Sequence, residues 1–534
     1  MSIALKWLFL SAKKNLMKKN ILILSLLLIN AVAFSQEAAT PDGAATKLRA
    51  GNYEDALTDY LFLLNTEPRN ELYNYNAGVC YLNTNENKAK AIPYLEIVTR
   101  KVVYNHEADY LLARAYQYAG RNDDAVKMYD NYKAYLMQKG KSSAEVDEQI
   151  QYCLNAKELM KYPVNVTFQS LGKNINSEYN DYYPFVTANE SFILFNSKRP
   201  EKNAERLING EYGNSIFISK VANGQYSKAT LIGAPVNAGN SGTEVIGLSA
   251  NGETMLLLIY NAAHKATLYT SNLLANGSYS KPEILLNNKI NSKGDEIAAS
   301  ISVDGTVYFA SNREGGYGGI DIYSCKVTPD GKWGVPQNLG PNINTKHDED
   351  FPNIAPDGKV LYFSSKGRSS MGGYDIFKST YDENTHTFNN ANNIGYPINT
   401  AYDDMNFRVS KNGKYGYIAA IRPNGYGEYD IYRVNFNEVE NEYSVVVGGF
   451  KTKDPNHEIN YADIFISVND ATTKLLVGNY LPNPTNGRFI MILNPGKYNV
   501  SIEASGMKTI EKTIEVLDKS SFQPEIILDI ELTK

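Results

Sequence analysis

The sequence predicts a multidomain fold in which an α-helical repeat stack is followed by a five-bladed β-propeller and a small β-sandwich. Three observations support this architecture. A hairpin pattern recurs every 53 to 62 residues between about residues 180 and 432, and a helical pattern recurs every 34 or 35 residues before it. Seven short alternating segments follow the hairpins. The length of 534 residues leaves room for about three or four domains.

Residues 1–35 have the composition of an export signal. Basic residues precede a short apolar stretch, and small residues follow it at the positions read by a signal peptidase: Lys18, Lys19, residues 21–29, Ala33 and Ser35. The apolar stretch is too short to span a bilayer. The residues before Met17 add nothing to the signal, so Met17 is a candidate for the true start. We therefore expect an exported chain with no transmembrane segment after cleavage.

The three cysteines lie far apart in the sequence. Cys80 is well beyond any cleavage site, so no lipid-anchored N-terminus is expected. Cys153 and Cys325 belong to other segments, and the spacing of the three predicts neither a disulfide framework nor a metal site. We expect them to be buried as small apolar side chains.

Residues 40–160 carry a helical repeat. Ala56, Ala91 and Ala125 recur at 35 and 34 residues, among regularly spaced tyrosines. Small residues at this period fit where paired helices touch, and aromatic residues fill the spaces between them. A further helix, at about residues 144–160, would cap the stack. Across residues 43–135 the pattern resembles tetratricopeptide repeats.

This resemblance implies a concave groove that binds peptide or protein segments. The positions that would face the groove and bind a partner are Tyr75, Asn83, Arg114, Gln117 and Tyr118. The alternative is that these residues are ordinary solvated positions on a spacer.

Residues 164–438 contain the recurring hairpins. The clearest copies place an Asp-Gly or Asn-Gly pair before a strand-like run, at Asp304, Asp357 and Asn412, and weaker copies lie at Asn189 and Asn251. Such pairs favour tight primed turns, in which central residues have positive φ. Four short strands repeated at this period predict a β-propeller, in which each blade packs against its neighbours.

The last repeat is one strand short. Residues 164–170 precede the first complete repeat and would supply the missing outer strand, which closes a ring of five blades with no free edge. The hairpin, together with the Asp-Ile-Tyr or Asp-Ile-Phe sequence of three repeats, resembles the WD40-like PD40 repeats of propellers similar to TolB. The resemblance implies a fold and leaves the function open, because propellers serve both as binding platforms and as enzymes.

Acidic residues precede the predicted innermost strand in three blades. They are Asp295, Glu296, Asp348, Asp350, Asp403 and Asp404. Gathered on one propeller face, they could hold a hard cation through oxygen ligands or receive a basic loop of a partner. The alternative, which we favour, is that they are loop residues matched to basic residues at strand ends. Those basic residues are Arg199, Arg313, Arg368 and Arg422.

Residues 443–534 contain seven short segments in which apolar and polar residues alternate, and polar turns join these segments. This number of strands is typical of a small β-sandwich. The Asn-Gly-Arg-Phe sequence at 486–489, and the Pro-Gly turn at 495–496 before an alternating strand, resemble the carboxypeptidase regulatory-like domain. That domain is not a peptidase, and nothing in this segment resembles a zinc site.

Composition and motifs argue against several functions. A net charge of −5 disfavours nucleic-acid binding, which needs a basic surface. The five histidines are scattered over three predicted domains, and the sequence has no His-Glu-x-x-His or Gly-x-Ser-x-Gly motif. We therefore expect no enzyme activity, no cofactor and no metal.

The order of the domains resembles that of periplasmic envelope proteins of type IX secretion and gliding motility, although the OmpA-like domain with which those proteins commonly end does not follow here. The resemblance implies a non-enzymatic periplasmic scaffold, associated with the outer membrane, whose partners are outer-membrane, secretion or motility proteins. One alternative is a propeller that binds glycan or peptide and has hydrolase or lyase activity at its acidic face. Another is a glycan-binding module exposed at the cell surface.

Overall fold

The computed structural model describes residues 39–533 except 85–86, 203, 223, 238–241, 261–265, 286–288, 327–332, 411–412, 423–424, 438–443, 453–458, 483–486, 488 and 517–524. The predicted export signal at residues 1–35 lies outside the described residues. Within these ranges, no helix is long and apolar enough to cross a membrane.

The described N-terminal part consists of seven α-helices, each of which packs against the next one along the chain. They are α1 Pro41–Arg49, α2 Tyr53–Thr66, α3 Glu71–Asn83, α4 Ile92–Thr99, α5 Glu107–Tyr118, α6 Asn122–Gln138 and α7 Ala144–Leu159. A short 3-10 turn, Lys88–Ala91, precedes α4. The predicted last helix is present as α7.

Small residues mark the contacts between these helices. Ala56, Ala91 and Ala125 are completely buried, as the repeat predicted. Gly78 allows α3 and α4 to approach closely, because a Cβ atom at this position would lie 2.6 Å from the side chain of Leu95. Tight contacts of this kind leave no room for larger side chains in a close-packed interior.

The cysteines are buried free thiols, as predicted. Cys80 and Cys153 lie among the helices, and Cys325 lies in a strand. Burial raises the pKa of Cys80 and of Cys153 to about 12, so both thiols stay protonated and unreactive at neutral pH.

Five antiparallel sheets follow the helices in chain order. The first sheet contains β2 Asp181–Val186, β3 Phe192–Ser197, β4 Ser215–Ala222, β5 Gln225–Tyr226 and β6 Thr230–Leu231. The second sheet contains β7 Thr243–Leu248, β8 Thr254–Tyr260, β9 Ala266–Asn272 and β10 Glu283–Ile284. The third sheet contains β11 Glu296–Ile301, β12 Val307–Ser311, β13 Asp321–Cys325 and β14 Gln337–Asn338. The fourth sheet contains β15 Glu349–Ile354, β16 Val360–Ser365, β17 Asp375–Asp382, β18 Thr387–Phe388 and β19 Asn392–Asn393. The fifth sheet contains β20 Met405–Val409, β21 Tyr415–Ala420 and β22 Asp430–Phe436 together with β1 Val166–Ser170, which comes from before the first sheet.

The ring of sheets is closed by its earliest strand. β1 pairs antiparallel with β22, which confirms the predicted role of residues 164–170. The first strands of the five sheets, β2, β7, β11, β15 and β20, contact one another in that order, and β20 contacts β2. The sheets therefore surround a central axis with their first strands innermost, which is the arrangement of a β-propeller.

The hairpin turns between the first two strands of each sheet differ from the predicted type. In the third sheet the amide of Gly305 donates to the carbonyl of Ser302 at 3.0 Å, and Gly305 has a φ of 82° whereas Asp304 does not have positive φ. This is a type I turn followed by a left-handed residue. The left-handed residue recurs in the other sheets as Glu190, Gly252, Gly358 and Gly413. In the four turns whose central residues the structure describes, the predicted positions were right and the predicted primed type was wrong; Asn412 lies outside the described residues.

An asparagine in the loop before each sheet, buried or partly buried, joins that sheet to the preceding one. The side-chain oxygen of Asn344 accepts from the amide of Ile322 at 2.8 Å, and its side-chain nitrogen donates to the carbonyl of Ile322 at 2.9 Å and to Asn338 at 2.8 Å. The equivalent residues bond to the third strand of the preceding sheet in the same way. These junction asparagines are Asn176, Asn237, Asn291, Asn344 and Asn399.

The C-terminal part is built of three small sheets that share one core. Their strands are β23 Ser444–Gly448, β24 Phe450–Thr452, β25 Ile464–Asp470, β26 Leu476–Tyr480, β27 Phe489–Leu493, β28 Gly496–Ala504, β29 Ile510–Val516, β30 Glu525–Ile527 and β31 Ile530–Leu532. The segments predicted at 445–450 and 525–532 are each divided into two strands, which pair parallel with one another. Val446, Ile466, Met491, Val500 and Ile530 bring side chains from all three sheets into the core.

Candidate functional site

Two of the acidic residues singled out in the sequence hold the sheets together. Glu296 is completely buried; it accepts from the hydroxyls of Ser292 at 2.7 Å and Ser311 at 3.1 Å, and from the guanidinium of Arg313 at 3.0 Å. Asp404 accepts from the amide of Thr400 at 2.6 Å and from its hydroxyl at 2.8 Å. Both carboxylates therefore bind the loop that enters their own sheet and are not open to a ligand.

The basic residues at strand ends divide into two groups. Arg313 pairs with Glu296 at 3.0 Å, which agrees with the favoured interpretation for this pair. Arg199 pairs at 2.5 Å with Asp181, which is not one of the six acidic residues selected from the sequence. Arg368 and Arg422 donate instead to the carbonyls of Pro341 at 2.9 Å and Pro397 at 2.8 Å. All four side chains serve the junctions between sheets.

Two further acidic residues bond to the preceding sheet. Asp348 accepts from the amide of Ile320 at 3.2 Å and from Lys366 at 2.9 Å. Asp403 accepts from the amide of Tyr374 at 2.9 Å. Asp295 is partly exposed at the equivalent place. Across the described part of the chain, no group of three or more His, Cys, Asp or Glu side chains is arranged to hold a metal ion.

Asp350 is buried at the central axis. Its carboxyl oxygen accepts from the amide of Phe351 at 2.6 Å. Burial raises the pKa of Asp350 from 3.8 to about 7; nearby Asp348 also raises it, and Lys366 and the Phe351 amide lower it. This carboxyl therefore changes its charge near neutral pH, unlike an ordinary aspartate.

Raising the pH from 5 to 8 is expected to lower the melting temperature through Asp350. A carboxyl that is protonated in the folded state and ionised in the unfolded state stabilises the fold fully near pH 4, and this contribution is lost as the pH rises to 7. The variant Asp350→Asn keeps an oxygen acceptor and cannot ionise. We expect it to show a smaller fall between pH 5 and pH 8 in scanning calorimetry. The exposed control Asp130→Asn should keep the parent profile, and an unchanged profile in Asp350→Asn would refute the assignment.

The helices cover the end of the propeller at which the first strands begin. The rings of Tyr118 on α5 and Tyr402 before β20 have centroids 4.7 Å apart. Gln117 is 3% exposed, and its side-chain nitrogen lies 3.5 Å from the carbonyl oxygen of Met371. Arg114 donates to the hydroxyl of Tyr118. Three of the five predicted groove residues thus lie at or beside a contact with the sheets of the same chain.

Helix α7 makes a second set of contacts with the fourth sheet. The Tyr152 hydroxyl donates to the carbonyl of Lys366 at 2.6 Å, and the Asn155 amide donates to the carbonyl of Ser370 at 2.8 Å. Glu148 lies 3.1 Å from Nδ1 of His347. These polar contacts hold α7 against the end of the fourth sheet, and a cleft remains elsewhere between the helices and the propeller.

The other two predicted groove residues lie away from these contacts. Tyr75 is half-buried and donates to Glu107 at 3.2 Å. Asn83 is exposed, donates to the carbonyl of Val79 at 2.8 Å and lines the cleft between helices and sheets. Of the five, Asn83 is the one that a ligand in the cleft would touch.

We call this space the interdomain cleft. It has a volume of 520 Å³. Three tyrosines and four glutamates line it: Tyr53, Tyr179, Tyr212, Glu54, Glu178, Glu211 and Glu428. Two cations also line it and both have acidic neighbours, since Lys198 lies 2.6 Å from Glu211 and Arg206 lies 3.5 Å from Asp55 and 3.8 Å from Glu54. The cleft is therefore polar and more acidic than basic.

Two carboxyl groups meet across the cleft. Glu54 comes from the first turn of α2, and Glu428 comes from the loop before β22. A hydrogen bond between them raises the pKa of Glu54 from 4.5 to about 7, and burial adds to this effect, whereas Arg206 opposes it. The contact of these two carboxyl groups favours either protonation of Glu54 or binding of a cation.

A second cavity of 300 Å³ adjoins the cleft, because Asn180 and Lys198 line both. We call it the mouth cavity. Tyr182, Tyr183 and Glu244 are among its lining residues. Burial raises the pKa of Glu244, which accepts a hydrogen bond from Asn214. The mouth cavity thus places one carboxyl with a raised pKa among tyrosines at the end of the central channel.

Aromatic residues fill the axis below the mouth cavity. Tyr183 and Phe351 lie at irregularities in β2 and β15 and have φ values of 52° and 50°. Their ring centroids are 4.9 Å apart across the axis. Positive φ in bulky residues is costly, so the surrounding packing must hold both rings in place.

Sequence reasoning missed Glu54, Glu428 and Glu244. Glu54 looks like an ordinary acidic residue in the first turn of a helix, where such residues are common. Glu428 lies next to the recurring Asp-Ile-Tyr sequence, and its distance from Glu54 in the sequence hides their contact. The acidic residues that were selected recur in several blades, and this recurrence itself indicated a structural role.

Comparison with known proteins leaves the family open. No family model matches the chain, and no curated protein matches it. Among solved structures, the chain is similar to a putative TolB from Agrobacterium tumefaciens at 13% identity and a TM-score of 0.30, covering 68% of this chain and 92% of that one. It is similar to TolB from Acinetobacter baumannii at 15% identity and a TM-score of 0.32, covering 55% and 70%. A glycosyl hydrolase from Bacteroides ovatus gives 14% identity and a TM-score of 0.31, covering 48% and 84%. Likenesses this distant do not indicate a function.

Proposed function

We propose that this protein is a non-enzymatic scaffold that binds a basic segment of a protein partner in the interdomain cleft. The observation that carries this proposal is the meeting of Glu54 and Glu428 across the cleft, one from each domain. A lysine or arginine of a partner can take the place of the shared proton and relieve the repulsion between the two carboxylates. Binding would then require both the helical stack and the propeller.

The charge and the shape of the cleft support a peptide ligand. Four glutamates face two cations, and both cations already have acidic neighbours. The three tyrosines add flat surfaces that attract cationic side chains and contact peptide backbone. Tyr179 and Tyr212 have ring centroids 5.7 Å apart at an angle of 85°, and the two rings support each other on the sheet side of the cleft.

The assignment of the three domains and of the cellular location rests on the sequence. We propose that the paired helices are a tetratricopeptide stack, that the five sheets are five PD40-type blades, and that the C-terminal sheets form a carboxypeptidase regulatory-like sandwich. This order of domains favours an exported protein of the periplasm that is associated with the outer membrane. Its partners would be outer-membrane, secretion or motility components, including those of type IX secretion.

The test is co-purification of partners with cleft variants. The tagged full chain is isolated from its native envelope in mild detergent, and the partners are quantified by mass spectrometry. We expect the double variant Glu54→Gln/Glu428→Gln to recover the partner at least about tenfold less well than the parent, since a charged hydrogen bond contributes about 1.5 to 3 kcal/mol. Tyr179→Ala should weaken recovery in the same direction.

The matched controls change the same residue types outside the cleft. Glu253→Gln and Tyr317→Ala alter exposed side chains, and both should recover the partner as the parent does. Equal recovery by the Glu54→Gln/Glu428→Gln variant and by the parent would contradict the proposed role of the cleft.

A second candidate function is hydrolysis of a glycan or peptide in the mouth cavity. Glu244 lines the mouth cavity, and its pKa is raised by desolvation, which suits it to act as a general acid. Its discriminating variant is Glu244→Gln, assayed on glycan and peptide libraries alongside the parent. Activity in the parent that disappears in Glu244→Gln would favour the enzyme over the scaffold, and a parent without activity would leave the scaffold as the better account.

A further inference from the structure

The end of the central channel opposite the helices is lined by one residue from the same register position of each sheet. The helices contact loops that precede the first strands, whereas these residues lie near the ends of those strands. Each faces the corresponding residue of the second strand in its sheet. They are Phe185, Gly247, Ser300, Asn353 and Arg408. One of the five is therefore a permanent cation close to the axis.

Among the residues that the structure describes, Arg408 has no carboxylate partner. It is 7% exposed, Nη1 donates to the side-chain oxygen of Asn353 at 2.5 Å, and its guanidinium lies 4.2 Å from the ring centroid of Phe185. Nε is buried and has no hydrogen-bond partner in the described part of the chain. The half-buried arginines Arg199 and Arg313 differ, because each has a carboxylate within 3.0 Å.

An unpaired buried guanidinium is an unfavourable arrangement. Burial lowers the pKa of Arg408 to about 9, which still leaves it charged at neutral pH. A buried charge is stable only when a counter-charge or a set of hydrogen bonds replaces its hydration. Because its hydrogen-bond partner Asn353 is neutral, the positive charge of Arg408 would be stabilised by a bound anion.

The space beside Arg408 limits the size of that anion. The cavity has a volume of 40 Å³, and its wall includes Ser300, Asn353 and Arg408. Since a water needs about 10 to 15 Å³ measured in this way, the cavity admits a group of about three or four heavy atoms. Val303 at its rim is 67% exposed, so the cavity can be reached from solvent. A carboxylate fits this space, whereas a sugar ring does not.

We propose that Arg408 binds a carboxylate group at the channel end remote from the helices. The planar guanidinium offers parallel N–H groups that match the two oxygens of a carboxylate. The carboxylate is either a free small anion or the end of a longer chain that enters past Val303. This site lies on the opposite face from the interdomain cleft and does not depend on the function proposed there.

The experiment measures the melting temperature of the full chain at pH 7 as sodium acetate replaces sodium fluoride at constant ionic strength. We expect a saturable rise in the parent and none in Arg408→Met or Arg408→Gln. The control Arg433→Met changes a half-buried arginine on the same sheet and should keep the rise. Without acetate, Arg408→Met should melt above the parent, because it removes an uncompensated charge.

Two further arms identify the source of the carboxylate. Triglycine carries a terminal carboxylate and triglycinamide does not. If triglycine raises the melting temperature and triglycinamide does not, the site takes a chain end; if acetate alone acts, it takes a free small anion. An equal rise with sodium chloride would mean an adventitious ion only and would overturn the proposal. The same acetate response in the parent and in both Arg408 variants would overturn it as well.

Discussion

Replacing Glu296 with alanine is expected to lower the free energy of unfolding of the propeller by about 3 to 5 kcal/mol. The substitution leaves the guanidinium of Arg313 without its carboxylate and leaves the hydroxyls of Ser292 and Ser311 without an acceptor. Trp333 is the only tryptophan after residue 35, and it packs against the core between the second and third sheets. Urea unfolding followed by its fluorescence therefore reports on this part of the protein.

The neighbouring carboxylate provides the control for this experiment. Asp295 is partly exposed, so Asp295→Asn should change the free energy of unfolding by no more than about 0.5 kcal/mol. Both residues belong to the same acidic pair in the sequence, and only one has a structural role. Similar stabilities of Glu296→Ala and Asp295→Asn would contradict the assignment of Glu296 to the junction.

Replacing Asn344 with alanine is expected to lower the free energy of unfolding by about 3 kcal/mol. The side chain makes three hydrogen bonds, and removing it leaves the amide of Ile322 without an acceptor in a buried place, whereas the carbonyl of Ile322 still accepts from the amide of Leu339 at 3.1 Å. Each unpaired buried group contributes a loss of about 1 to 3 kcal/mol. The same urea experiment with Trp333 fluorescence measures the effect.

An exposed asparagine on the next sheet is the matched control. Asn392 lies at the surface in β19, and Asn392→Ala should stay within about 0.5 kcal/mol of the parent. If Asn344→Ala were as stable as Asn392→Ala, the junction asparagines would not be what joins neighbouring sheets. Asn399→Ala, at the next junction, should repeat the loss.

The repeated features of the fold were predictable because repetition reveals period and register. The spacing of the hairpins at Asp304 and Asp357 located the turns, and the missing strand of the last repeat pointed to residues 164–170. Turn type was not predictable from the Asp-Gly pair alone, because the same pair suits a primed turn and a type I turn followed by left-handed glycine. Strand breaks in the C-terminal sheets escaped prediction for a similar reason, since β23 and β24 form one continuous alternating run in the sequence.

The candidate site was much harder to predict than the fold. The predicted groove residues Gln117 and Tyr118 were chosen from the register of one domain, and that register says nothing about a second domain packed on the same face. Glu54 and Glu428 meet only because the helices are placed over the propeller. Arg408 was likewise invisible, because a single arginine in a strand becomes unusual only when its neighbours are known to lack a carboxylate.

The placement of the helices over the propeller is the central claim, and photo-crosslinking at position 118 tests it most directly. Benzoylphenylalanine replaces Tyr118 in the full chain, the purified protein is irradiated, and crosslinked peptides are sequenced by mass spectrometry. We predict an intramolecular crosslink to the peptide that contains Tyr402, whose ring lies 4.7 Å from that of Tyr118. The same probe at Tyr162, which is 81% exposed, should not give this crosslink. Crosslinks from position 118 that join only helices, or only separate copies of the chain, would contradict the account.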